Sequence, residues 1–172
     1  MFEDLFAALP PKQLHENFFS ALDDEWMLLT AGSPEHFNTM TASWGNTGIL
    51  WNKPVAICYI RPQSHTFQFA EHSAWFTLSF LQPGNDKILD FCGTHSGQDI
   101  DKVKQTGLRP LVTPAGSVTF EQARLVLECR KLYADYLRPD HFTDETLIAR
   151  NYPKKDFHKF YIGEIVGCWK RL

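Results

Sequence analysis

The sequence predicts a mainly β protein of α+β outline, an antiparallel barrel or sandwich with short helices inserted midway. Three observations carry that expectation. Six or seven segments rich in β-branched and aromatic residues are bounded by Gly, Pro, Asn or Ser. The helical patterns are short and gather between the early and late strands. The alternating β–α units and the Gly-x-Gly-x-x-Gly loop of a doubly wound sheet are missing.

Taken in order, "FEDLFAAL" and "KQLHENFFSAL" read as short helical or irregular lead-in segments over residues 1–24, interrupted by Pro10 and Pro11. Strands are expected over Glu25–Gly32, Phe37–Trp44, Pro54–Arg61 and Ala74–Leu81, and "SPEH" suits a hairpin loop between the first two. "QSHTFQFAEH" reads as a helix beginning near Ser64 or His65. A second helix, "NDKILDFCG", has Asn85 or Asp86 as its cap and Gly93 as its stop, and a third lies between Gly97 and Gly107. The pattern returns to strand from Val112, through "GSVTF" and the long "ARLVLECRKLYADYL". In that segment Leu125, Leu127 and Cys129 face one way and Arg124, Val126 and Glu128 the other. A polar insertion, "RPDHFTDETLIARNYPKKD", has room for one or two helical turns before the last strand, "FHKFYIGEIVGCWKR".

At 172 residues the chain suits one domain with a proper core. A net charge of −3 supplies no global basic field, which argues against nucleic acid and anionic membranes as partners, so any phosphate must be met by a local cluster of donors. No apolar run is long enough to cross a bilayer and the N-terminus lacks the features of a signal peptide, so a cytoplasmic location is the expectation. Cys58, Cys92, Cys129 and Cys168 are widely spaced with no C-x-x-C, which suits reduced, buried thiols and no metal site.

Two stretches carry chemistry. In "FNTMTASWGN" the apolar side of the strand is thin, while Asn38, Thr39, Thr41 and Ser43 provide hydrogen-bonding groups in a row. In "YIRPQSHTFQF" the chain turns at Pro62 between Arg61 and the helix start at Ser64, His65 and Thr66. A guanidinium fork, hydroxyls and the free N–H groups of a helix N-terminus together suit a phosphate. An ordinary capped helix with an exposed Arg61 is the other reading of the same residues.

The succession of "NTMTASWGN", "RPQSHTF", "FTLSFL", "SGQDIDK", "LECR" and "HKFYIGEIVG" resembles, in order and spacing, the flavin reductase-like family of FMN-binding split barrels, including its flavoredoxin-type members. The resemblance runs from about Trp26 to Gly167. It implies a split antiparallel β-barrel with short inserted helices, assembled as a homodimer, with FMN in a groove near the subunit interface. Asn38, Thr39, Met40, Thr41, Ala42, Ser43 and Trp44 would run beside the ribityl chain and the ring. Arg61, Ser64 and Thr66, with His65, would hold the phosphate, Ser79 and Phe80 would border the flavin, and Lys102 would lie near the cofactor. A flat ring needs an approach free of bulky side chains and a rim of donors and acceptors, which explains the small polar run. Trp44 either shields the ring or packs at the barrel end.

His158 corresponds to a histidine of the family that faces the nicotinamide side of the flavin; its alternative is a solvated loop residue. Cys129 reads as a packed thiol, and Asp99, Asp101 and Glu164 as surface or structural acids. The resemblance implies an NAD(P)H-dependent FMN oxidoreductase passing electrons to free flavin, an acceptor protein or another acceptor. Because the segment between Tyr133 and His158 is longer and more charged than the family's usual hairpin, an electron carrier without NAD(P)H turnover is the alternative. A barrel with no cofactor, acting as a binding module, is the third reading.

Overall fold

The computed structural model describes residues 1–172, and its first strand already departs from the sequence pattern. After one helical turn at Phe2–Asp4, the lead-in contributes a strand, β1 (Phe6–Ala8), which pairs with the end of the chain. Short helical turns follow at Pro11–Gln13, Phe18–Ser20 (α1) and Ala21–Glu25. Then come β2 (Met27–Ser33), β3 (His36–Ala42), β4 (Gly45–Leu50) and β5 (Lys53–Ile60), the helix α2 (His65–His72), and β6 (Trp75–Leu81). Helices α3 (Asp86–Thr94) and α4 (Lys102–Thr106) precede a small hairpin of β7 (Pro110–Val112) and β8 (Val118–Phe120). The long strands β9 (Ala123–Tyr136) and β10 (Lys159–Arg171) flank an insertion that carries one turn at Pro139–His141 and a helix α5 (Thr146–Asn151).

The main sheet runs β3-β2-β6-β9-β10-β5-β4, with β1 added to β10, and its pairs are antiparallel. The two ends of this order, β3 and β4, are consecutive in the chain and separated only by Ser43 and Trp44. From Ala42 to Gly45 the backbone spans at most ~11 Å, so the sheet must curl until its edges come close. No ladder joins those edges, and the barrel is therefore split rather than closed.

Alternation along β9 works as its pattern predicts from Leu125 to Cys129, but a register shift before it sends Arg124 to Glu16 and Glu25, over the Phe80 ring, and not to the face of Val126. Leu125, Leu127 and Cys129 enter the barrel core with Met27, Leu29, Phe76, Phe80 and Tyr161. Val126 faces the opposite way into a second core with Leu28, Phe2, Phe6, Leu89 and Phe120. Apolar layers cover both faces here, which explains why the strand lacks a polar side. Glu128 is the exception, a buried carboxylate that accepts the Thr113 hydroxyl. All four cysteines are buried and unpaired.

Three local expectations need correction. The strand β4 escaped the pattern because "GNTGIL" has two glycines and little periodicity. It is paired to β5 through a two-residue turn in which Trp51 and Asn52 both have positive φ, 52° and 57°, the geometry whose twist suits a tight hairpin. α3 runs through Gly93 to Thr94, and Thr41 packs against that glycine. The third helix does not begin near Gly97: Asp101 caps it by accepting the Lys104 N–H, and Gly107 ends it in the left-handed conformation.

Gly163 in β10 sits where the register with β9 shifts, and a Cβ there would lie 2.7 Å from the Phe76 ring and 2.8 Å from Cys129 Cβ. Gly163→Ala is expected to destabilise the fold by about 1–3 kcal/mol through overpacking. Urea denaturation checks this, and a midpoint equal to wild type would remove close packing as the reason for glycine at this position.

Candidate functional site

A cleft of about 360 Å³ lies against β3 and gathers residues distant in sequence. Its wall includes Asn38, Met40 and Thr41 from β3, and Arg61 with the Ser64–Thr66 turn at the start of α2. The segment from Cys92 to Gly97, Lys102 and His158 complete it. The two stretches singled out from sequence thus meet at one place.

Lys102 is the unusual member. It is only 6% exposed, yet its ammonium has no carboxylate within ion-pair distance. Instead Nζ donates to the carbonyl oxygens of Thr39 at 2.9 Å and Cys92 at 2.8 Å. An ammonium has three donors, so one remains for a ligand. Burial pushes the Lys102 pKa down, as expected of a cation without a counter-charge.

The start of α2 adds neutral donors. The backbone N–H groups of His65 and Thr66 find no acceptor in the chain, as the first turn of a helix requires. Thr66 is fully buried, and its hydroxyl accepts from Asn38 Nδ2 at 2.9 Å. A side chain at Gly97 would overlap that Asn38 amide, so glycine there lets the loop approach β3. Ser64 donates only to the Met40 thioether, at 3.4 Å, a weak bond that a better acceptor can replace. His65 shares a 2.8 Å bond with Gln68.

The other β3 residues divide by face. Thr41 lines the cleft and donates to the Leu89 carbonyl at 2.6 Å. Ala42 belongs to the barrel core, with Met40 packed on the same side, while Thr39 shares the opposite face with Thr41, its hydroxyl bound to Thr30 at 2.9 Å. Only the backbone of Thr39 reaches the cleft region, through its carbonyl on Lys102. Ser79 and Phe80, expected beside a flavin, line none of the larger cavities. Ser79 is fully buried and bonded to Thr119 at 2.8 Å, and Phe80, 1% exposed, packs on Phe18 in the core. The two residues face opposite sides of β6, and both sides are covered, Phe80 by the barrel core and Ser79 by β8.

Arg61 reaches the same cleft with its donors already engaged. It lines the cleft, but its fork is occupied by the insertion: one nitrogen meets Asp156 at 2.8 Å and the other the Asn151 carbonyl at 3.0 Å. Gln63 donates to the same Asp156 carboxylate at 2.6 Å, and Gln63 and Arg61 together hold that carboxyl below its ordinary range. The guanidinium lies over the Tyr152 ring, 5.1 Å from its centre. Arg61 therefore organises the wall, and Lys102 is the buried cation without an anionic partner.

Beyond Trp44 a larger cleft of about 910 Å³ opens between the Glu16–Asp23 segment and the aromatic wall of Trp44, Tyr59 and Tyr152. Ser43 lines it too, and Leu137 and Tyr152 bring the insertion to its edge. No Lys or Arg lines it; its charged residues are Glu16, which Arg124 already binds, and Asp23. Trp44 is 49% exposed with its ring 5.2 Å from that of His158, so it is not a packed barrel-end residue. His158 in turn is not solvated: it is 7% exposed, and its Nδ1 lies 2.8 Å from the Tyr152 hydroxyl. Gln63, Tyr152 and Asp156 had no sequence signal, because they act through an insertion whose path the pattern does not specify.

Burial, helped by the Arg61 charge, lowers the His158 pKa from 6.5 to about 4. Between those values the unfolded chain binds the proton and the folded chain does not, so stability falls as pH drops below 6.5 and this loss levels off below about 4. His158→Gln is expected to flatten that part of the stability profile by about 1–2 kcal/mol. Denaturation midpoints at neutral and mildly acidic pH give the comparison; an unchanged acid slope would count against a neutral buried histidine.

Comparison with known proteins agrees with this architecture. A sequence model described as Flavin reductase like domain matches residues 19–171. Among solved structures, an FMN-binding protein from Thermus thermophilus with bound 1-cyclohex-2-enone aligns over 95% of this chain and 80% of its own, at 19% identity and a TM-score of 0.66. Flavoredoxin from Methanosarcina acetivorans aligns over 85% and 68%, with 21% identity and a TM-score of 0.65. An FMN-binding domain of a flavin reductase-like enzyme from Shewanella baltica covers 96% and 76%, at 17% identity and a TM-score of 0.68. Comparison with curated protein sequences gives no match. The split sheet, the polar β3 run and the extent of the family match together lead to one conclusion: the chain belongs to the flavin reductase-like domain family.

Proposed function

We propose that this protein is a flavin-dependent oxidoreductase that holds FMN in the cleft against β3, with the phosphate beside Lys102 and the first turn of α2. The observation that carries this reading is the Lys102 ammonium, buried, without a carboxylate, and with one donor unused. A phosphate supplies the missing negative charge. The N–H groups of His65 and Thr66 and the hydroxyl of Ser64 add neutral donors of the kind a phosphomonoester takes. Met40 and Thr41 line the wall beside them, and Ser43 and Trp44 line the larger cleft, with the Trp44 ring 5.2 Å from that of His158 in this one. The donor set therefore fits the group.

When bound, FMN would supply the redox chemistry, taking electrons from NAD(P)H and delivering them to a second flavin, an acceptor protein or another acceptor. The chain's own part is to bind and orient. Lys102 and α2 fix one end, the short side chains of β3 keep bulk away from a flat ring, and Trp44 with His158 forms an aromatic edge. No acid or base of the chain need exchange a proton for such a transfer. Lys102→Met is expected to weaken FMN binding by about 10–150-fold, the equivalent of one charge-assisted bond of about 1.5–3 kcal/mol. Riboflavin, which lacks the phosphate, should bind both proteins alike. Fluorescence titration with both flavins reads this, and FMN affinity unaltered by the substitution would end the assignment.

A second reading, a flavin-binding electron carrier without NAD(P)H turnover, draws on one observation. The larger cleft has acidic but no basic lining residues, which offers nothing to the phosphates of a dinucleotide. Anaerobic mixing of FMN-loaded protein with NADH or NADPH distinguishes the two. Bleaching of the flavin absorbance within seconds supports the reductase, and an oxidised spectrum that persists alongside reduction by dithionite supports the carrier.

A further inference from the structure

The insertion between β9 and β10 brings a phenol to the one ring nitrogen of His158 that is held. Tyr152 is 5% exposed and fixed from three sides: its ring stacks on Phe157 at 4.7 Å, meets Phe142 edge-on at 6.1 Å, and lies under the Arg61 guanidinium at 5.1 Å. Its hydroxyl has a single partner, His158 Nδ1, at 2.8 Å. His158 Nε2 makes no hydrogen bond within the protein, and the residue lines the 360 Å³ cleft.

The direction of that bond follows from acid strength. A phenol is a better donor than a neutral imidazole N–H, and an imidazole lone pair is a much better acceptor than a phenolic oxygen. Burial raises the Tyr152 pKa and so keeps its proton on, while the same burial together with Arg61 keeps His158 uncharged at neutral pH. The charged groups near the pair are Arg61 and Asp156, which are paired with each other. Tyr59 of β5 and Trp44 supply the remaining aromatic neighbours.

We propose that Tyr152 is a positioning residue: by donating its hydroxyl proton to Nδ1 it holds His158 as the Nε2–H tautomer, so that the ring presents one uncharged hydrogen-bond donor to an acceptor atom of the ligand in the cleft. The ligand part of this rests on the reading that the cleft holds a flavin. The acceptor chemistry sought is a carbonyl oxygen or unprotonated ring nitrogen, and a neutral N–H aimed at such an atom stabilises negative charge as it develops there. The insertion is thereby tied to the site's chemistry through a second residue, separate from its hold on Arg61.

Long-range ¹H–¹⁵N correlation of the histidine rings tests this in labelled apoprotein near pH 7.5, with the His158 signals assigned by their loss in His158→Gln. The expected wild-type pattern is an unprotonated Nδ1 and a protonated Nε2, and in Tyr152→Phe a shift toward a mixture of tautomers. In FMN-loaded protein, Tyr152→Phe should slow flavin reduction ~10-fold while FMN affinity stays within about twofold, a division that general loosening of the fold would not give. A wild-type His158 protonated on Nδ1 overturns the proposal without recourse to any variant, as does a Tyr152→Phe protein with unchanged tautomer. Because the tautomer is read without cofactor, a protein that takes up no FMN yet shows Nε2–H refutes the flavin reading and leaves the role of Tyr152 standing.

Discussion

A two-residue link governs this molecule. Ser43 and Trp44 join the opposite edges of the main sheet, so the strands between those edges must curl around one core within the reach of three backbone steps. The curl puts β3, whose residues alternate between the core and the outside, at a lip that no neighbouring strand covers. Met40 and Ala42 pack on the barrel core and Thr39 and Thr41 face the other way, and the cleft borders the strand at Asn38, Met40 and Thr41. A closed barrel would have used that edge for hydrogen bonding; the split leaves it for something else.

Charge is arranged with similar economy. Two cations stand near the cleft, and they are treated differently. Arg61 is bound by Asp156, Gln63 shares that carboxylate, and Tyr152 lies beneath the guanidinium, so this cation holds the insertion to the barrel. Lys102 has only carbonyl partners. Carbonyl dipoles soften the cost of burying an ammonium without cancelling its charge, and the site keeps a net pull on anions. Which cation is left without an anionic partner is thus decided by where the insertion's acids fall.

Much of the architecture was legible in the sequence because burial imposes a period. β2, β5, β6 and β9 are long, apolar and bounded by turn residues, and the alternation of Leu125, Leu127 and Cys129 against Val126 describes two real cores. β4 was not legible, since a strand with Gly45 and Gly48 and a Trp-Asn turn has neither the period nor the usual turn residues. At the cleft, the Ser64–Thr66 turn had been singled out by residue type and Lys102 through the family resemblance, and the fold brings them to one wall. Other groups were not placed by the pattern: Arg61, Ser79 and Phe80 have suitable chemistry, but strand facing and long-range partners decide how it is engaged, and Asp156, which holds Arg61, lies 95 residues away. Tyr152 was invisible for the same cause.

The four thiols have a consequence of their own. Each is enclosed, none is cross-linked, and burial drives all of them toward the protonated form, Cys168 to about 11. Oxidants and disulfides react with the thiolate, which is scarce here at neutral pH, even for Cys92 at the cleft wall. The fold rests on no cross-link, so a reducing medium takes nothing from it, and its protonated thiols offer oxidants little to attack.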